Sequence, residues 1–188
     1  MKQRSDAMLN KKRILETADR LFTANSVDEV AMKQIAAECG IGQGTLYRHF
    51  SNKAEICQAL MDEAVYKMFE KIEQIRNTQI TDAEKIKEIL HAFVTLITDN
   101  REKLEEMKTE GSKRKVMMDL HFYPQLKSTL LTLIEGLNIV KDADFHTDIM
   151  LNTFSKDVFE HHCIDKKVQP EIFADRIHYI FIERLLER

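Results

Sequence analysis

The stretch CGIGQGTLYRHFSNK, residues 39–53, decides how the rest of the chain is organised. It holds three of the five glycines, Gly40, Gly42 and Gly44, followed by an apolar pair four residues apart, Leu46 and Phe50. Glycine adopts positive φ without steric cost, so Gly40 reads as the stop of one helix and Gly42 as the start of the next. Upstream, MKQIAAEC (32–39) turns Ile35, Ala36 and Cys39 to one side, the spacing of a short amphipathic helix. Downstream, Gln43 to Phe50 has the same period.

Two short helices joined by a glycine-containing turn make a helix-turn-helix, whose second helix lies in the major groove of DNA. At about 100° per residue, Leu46 and Phe50 share the buried side of that helix. Gly44 and Arg48 lie opposite, Thr45 beside them, Tyr47 and His49 on the flanks, and Gln43 at the tip. Gln43 can pair bidentately with adenine and Arg48 with guanine, and Thr45 can touch a thymine methyl. Tyr47 and His49 offer phosphate donors. Lys53, opening the next helix, and Lys33, in the first turn of the preceding one, add cations. Glycine costs roughly 1 kcal/mol against alanine inside a helix. Gly44 therefore reads as a place where backbone approaches DNA closely.

Working outward, KKRILETADRLFTA (11–24) sets Ile14, Ala18, Leu21 and Phe22 at helical spacing, and Asn25 is expected to end that helix in a left-handed conformation. Asn52 with Glu55 reads as a capping box opening a long helix over 53–76. Further helices are expected over 82–107, 115–122, 124–140, 145–163 and 170–187, with a polar joint at 110–115. With only 5 glycines and 2 prolines to interrupt it, the chain is expected to be all-α, with about nine helices. A three-helix DNA-binding domain takes residues 1–55 and a larger helical domain 56–188.

Net charge is −3, but residues 1–60 carry nine basic against seven acidic residues, leaving −5 on the remainder. A basic head on an acidic body suits a DNA-binding domain joined to something else. No run of about 18 apolar residues exists for a membrane span. The start, MKQRSDAMLNKKR, lacks the apolar core of a signal peptide, so the cytoplasm is the expected compartment. Lys2 and Arg4 belong to a tail expected to fray rather than reach DNA. Cys39, Cys57 and Cys163 lack a paired spacing and read as reduced core thiols, although Cys57, near a helix start, is also open to a redox role. EHHC (160–163) lacks the i, i+4 spacing of a helical metal site, so no metal or cofactor is expected. No catalytic constellation is visible, and the chain is not expected to be an enzyme.

The segments RILETADRLF (13–22) and QIAAECGIGQGTLYRHFSNKAEI (34–56), above all the G-T-L-Y-x-H-F-x-N-K run from Gly44 to Lys53, resemble the N-terminal domain of TetR-family transcriptional regulators. The resemblance implies a homodimer on a palindromic double-stranded DNA operator, usually as a repressor. It also implies that the C-terminal domain holds a small-molecule pocket and the dimer interface. By position it assigns DNA contacts to Lys33, Gln43, Thr45, Tyr47, His49 and Lys53. The sequence departs from the family at Ala31 and Met32, where Thr or Ser often caps the second helix. It departs also at Asn25, usually glycine, and at Gly42, often serine.

Pocket residues are expected among the middle helices: Phe93, Leu96, Ile97, Met117, Met118, His121, Phe122, Tyr123, Leu130 and Ile134. The last helices are apolar on more than one side, which suits packing against a second copy. Ile149, Phe154, Val158, Phe173, Ile177, Ile180, Phe181 and Leu185 are the expected interface. Control by a protein partner, or action as an activator, is the alternative to effector-released repression.

Overall fold

The computed structural model describes the backbone of residues 2–107 and 120–187, with side chains from residue 8. Met117 and Met118 of the expected pocket, and most of the expected 115–122 helix, lie outside the described residues. All regular structure among the described residues is helical: α1 (Lys2–Ala24), α2 (Met32–Cys39), α3 (Gln43–His49), α4 (Lys53–Arg76), α5 (Asp82–Asp99), α6 (Arg101–Glu106), α7 (Tyr123–Leu137), α8 (Ala143–Asn152), α9 (Lys156–Phe159), α10 (Pro170–His178) and α11 (Arg184–Leu186). A π-helical turn, Glu160–Asp165, continues α9, and another, Tyr179–Glu183, joins α10 to α11. These segments make ten continuous rods among the described residues, against about nine expected.

The chain divides into two compact units. The first holds residues 1–64 and the segment beginning at Asn100; the second holds residues 65–99 and the C-terminal helices. The first unit therefore runs past residue 55, through the opening turns of α4, and takes in α6.

The core of the first unit draws on every helix that enters it. Ile14, Ala18, Leu21 and Phe22 come from α1, Ile35, Ala36 and Cys39 from α2, Leu46 from α3, and Ile56, Cys57 and Leu60 from α4. Val27, Val30 and Phe50 fill it from the connections, and Met107 packs against it from the end of α6. Burying one such aliphatic or aromatic side chain contributes about 1.5–3 kcal/mol, so this cluster rather than helix propensity holds the short α2 and α3 in place.

In the second unit α5 packs between α7 and α10, and α7 packs on α8. Phe122, Phe93, Phe154 and Phe173 form a chain of rings with centroids 6.2, 5.3 and 5.5 Å apart. His178, in the same unit, is buried, with Nε2 donating to the Ala83 carbonyl at 2.8 Å. Burial holds its pKa below the ordinary imidazole value.

Three local expectations are corrected. Asn25 does not end α1 in the left-handed region; Asn138 (φ 52°) and Lys167 (φ 55°) are the described non-glycine residues with positive φ. The Asn25 backbone and side-chain N–H groups instead both donate to the Leu21 carbonyl, at 3.0 and 3.1 Å. The helix expected over 82–107 breaks at Asn100 (φ −118°, ψ 16°), which separates α5 from α6. The one expected over 145–163 breaks at residues 153–155, where Thr153 Oγ1 donates to the Met150 carbonyl and Ser155 is extended. Asn, Thr and Ser offer the backbone local alternatives to the helical ladder, and apolar spacing is blind to that.

Candidate nucleic-acid interface

The turn between α2 and α3 is built as its glycines require. Gly40 sits at φ 68°, ψ 32°. Gly40 N–H donates to the Ala37 carbonyl and Ile41 N–H to the Ala36 carbonyl, both at 3.0 Å, closing the end of α2 as a Schellman motif. Arg13 of α1 reaches over to donate to the Cys39 carbonyl at 2.8 Å, satisfying a third group at the same helix end. At the start of α2 the expected absence of a side-chain cap is observed: Ala31 is the N-cap and makes none.

Gly42 caps α3 with its carbonyl, which accepts from Thr45 N–H at 2.9 Å and Leu46 N–H at 3.1 Å. Leu46 is 0% exposed and Phe50 is buried beside it, which fixes the roll of α3. The outward side then carries Gln43, Gly44, Tyr47 and Arg48, all exposed, with Thr45 and His49 half-buried at the edges. A Cβ added at Gly44 would meet nothing within 4 Å, so nothing inside this unit requires glycine there. Lys33 is exposed in the first turn of α2. Seven of the eight residues expected to contact DNA are thus exposed or half-buried at the surface of the first unit.

Lys53 is placed differently. Its side chain is 17% exposed, and its ammonium donates to the Val27 carbonyl at 2.7 Å and faces Glu106 of α6 at 3.6 Å. The cap beside it forms in a shifted version of the expected box: Asn52 Oδ1 accepts from Glu55 N–H at 2.9 Å, and Glu55 reaches back not to Asn52 but to Ser51 N–H at 2.7 Å. Two side chains around this site carried no local signal in the sequence. Lys11 of α1 lies over the Phe50 ring, 5.8 Å from its centroid, which sets a cation beside the end of α3. Glu106 meets Lys53 across more than fifty residues of sequence, a separation no periodicity reports.

Cys57 is fully buried and its thiol is pushed up to about 12, first by burial and then by the Glu106 carboxylate. A thiol held protonated in this way is a poor nucleophile, so Cys57 has the chemistry of a core residue.

Of the expected pocket residues, Phe93, Leu96, Phe122, Tyr123, Leu130 and Ile134 are buried in the second unit, Ile97 is half-buried and His121 is exposed. The Tyr123 hydroxyl is already occupied, donating to Asp148 at 2.5 Å, while Lys127 bridges Asp144 and Asp148 at 2.8 Å each. Burial and then the Asp148 carboxylate push the Tyr123 hydroxyl above the usual phenol range. An open groove of about 410 Å³, lined by Lys87, Asp175, Arg176, Tyr179, Ile180 and Glu183, shares none of these pocket residues.

The expected interface residues divide. Phe154, Phe173 and Ile177 are buried within the second unit, Phe181 and Leu185 are half-buried, and Ile149, Val158 and Ile180 are exposed. Phe145 and Tyr179, not among those expected, are also exposed. His146 of α8 ties this region together, its Nε2 donating to the Phe181 carbonyl at 2.9 Å.

Comparison with known proteins bears on the whole chain. The family model for bacterial regulatory proteins of the tetR family matches residues 14–60. An HTH-type transcriptional regulator of Staphylococcus aureus (strain MRSA252) is 34% identical over 185 residues, covering 97% of each chain. Among solved structures, a TetR-like transcriptional regulator from Rhodococcus sp. RHA1 superposes with a TM-score of 0.60 at 15% identity, covering 95% of this chain and 97% of that one. The Thermus thermophilus FadR, a TetR-family repressor in complex with lauroyl-CoA, gives 0.65 at 10% identity, covering 92% and 93%.

Proposed function

Because the chain belongs to the tetR family and is a DNA-binding transcriptional regulator, we propose that it is a homodimeric repressor of a palindromic operator, released by a small-molecule effector. The observation that carries the DNA side of this reading is the exposed polar face of α3, held outward by the fully buried Leu46. Gln43 and Arg48 read base edges, Thr45 adds a base contact, and Lys33, Tyr47 and His49 hold phosphates on either wall of the groove. The effector site belongs to the helical second unit. A neighbour of the same fold in complex with lauroyl-CoA supports a small-molecule effector. The protein acts in the cytoplasm.

Control follows from connectivity. Helix α4 has 24 residues, about 36 Å at 1.5 Å per residue. It follows α3 after a three-residue connection and continues into the second unit. In a dimer the two α3 helices must sit about 34–36 Å apart to enter successive major grooves. An effector that binds best when α4 is tilted shifts that separation by as much as its differential affinity for the two states allows.

The base-reading role is tested by Gln43→Ala. The variant is expected to lose discrimination at one base pair of each half-site, by about 1–3 kcal/mol, with the other positions unchanged. Selection from a random-sequence pool measures this directly. A variant that retains the parent preference at every position contradicts the assignment.

A further inference from the structure

Lys53 has two claims on it. It lies four residues beyond His49 at the end of α3, a span of at most about 15 Å at 3.8 Å per Cα step. A DNA strand flanking α3 is therefore within reach of its side chain. In the structure, however, the ammonium is engaged by the Val27 carbonyl and by Glu106. Glu106 is 22% exposed, and its charge is felt in this pocket, since it helps raise the Cys57 thiol.

Helix α6 does not depend on this pair for its place. One turn earlier on α6, Glu102 accepts from Val27 N–H at 2.9 Å. Lys103 pairs with Asp19 of α1 at 2.9 Å. The peptide units around Val27 are thus gripped from both sides, and the Lys53–Glu106 contact, at 3.6 Å the longest of the set, is the one that can open without undocking α6.

We propose that Glu106 is a built-in competitor of the DNA backbone for the Lys53 ammonium. In the free protein Lys53 rests between Val27 and Glu106; on DNA it swings to a phosphate, and the attraction to Glu106 is given up. A partly exposed ion pair is weak, so the exchange is shallow and reversible. By linkage, any change that strengthens the Glu106–Lys53 contact weakens DNA binding by the same factor. This rests on the reading that α3 enters the groove and deepens it by assigning how one phosphate contact is regulated.

The experiment compares the parent, Glu106→Gln, Lys53→Met and the double variant on a duplex of random sequence, across about 50–200 mM salt. Helical circular dichroism checks the fold of each, and the double variant leaves no unpaired charge where the pair was. Lys53→Met is expected to reduce the log–log salt slope by about 0.9, the signature of one lost phosphate contact. Glu106→Gln is expected to tighten binding about three- to fivefold, and this gain is expected to vanish in the Lys53→Met background. An unchanged slope in Lys53→Met overturns the proposal. So does a Glu106→Gln gain that persists without Lys53, which would be ordinary relief of repulsion from DNA. A parent protein that binds no duplex at low salt removes the DNA-binding reading itself, a distinguishable result.

Discussion

Gly44→Leu is expected to fold at least as well as the parent and to lose specific operator binding. The two halves of this result have separate causes. Nothing lies within 4 Å of a Cβ at position 44, so a side chain can leave the backbone there without meeting a neighbour at its first carbon. Leucine also has a helix propensity better than glycine by somewhat under 1 kcal/mol in a helix interior, and part of that gain is retained this close to the end of α3. The cost falls entirely on the complex. Gly44 lies on the same outward face as Arg48, and a leucine there holds the α3 backbone away from the groove floor. Base contacts along the helix then fail together, and affinity falls toward the non-specific level, on the order of 10³-fold or more. A thermal melt and an operator titration on the same preparation measure both halves. A Gly44→Leu variant that binds its operator like the parent means that this face does not lie against DNA.

The second large effect is expected at Ile180. This residue is 51% exposed on the π-helical turn after α10, and Phe145, 62% exposed on α8, is another large apolar side chain left uncovered. In the proposed dimer, pairing of this surface with its symmetry mate would remove both from water. Because an isologous interface uses the same patch twice, Ile180→Asp introduces two carboxylates, and burying an unpaired charge costs several kcal/mol. The variant is expected to run at the 22.0 kDa of one chain and the parent at twice that. It should also lose operator affinity with the second half-site, while keeping its helical signal. Light scattering after size exclusion reads the mass. An Ile180→Asp protein that remains dimeric moves the interface to another surface. Phe173→Asp is no substitute for this test, because Phe173 packs against Phe154 and Phe159 within the same unit.

That contrast marks where the sequence stops being legible. The α2–Gly40–α3 turn, the inward Ile35, Leu46 and Phe50, and the Asn52–Glu55 cap all follow from local chemistry, and the structure has them. Local chemistry allowed Asn25 a left-handed helix end that it does not take, while Asn138, inside the helix expected over 124–140, takes one and ends α7 at Leu137. The expected interface failed to separate for a different reason. Ile149, Phe154, Phe173 and Ile180 are equally apolar and equally periodic, but two of them close the aromatic cluster and two face outward. Periodicity reports that a stripe is buried, not what buries it. Lys53 shows the same limit for charge. Its place in the motif was plain, whereas its partners, the Val27 carbonyl and Glu106, are set by tertiary packing. The helix breaks at Asn100 and at residues 153–155 needed no Gly or Pro, so composition gave no warning of them.

In the proposed dimer, α3 of each protomer reads one half of a two-fold-symmetric DNA site. Selection of duplexes from a random-sequence pool by the parent protein, followed by alignment of the enriched sequences, tests it most directly. Two inverted half-sites are expected, their centres one helical turn apart or a whole multiple of it, about 10–10.5 base pairs per turn. Enrichment of a single unrepeated motif, or half-sites on opposite faces of the duplex, would contradict it.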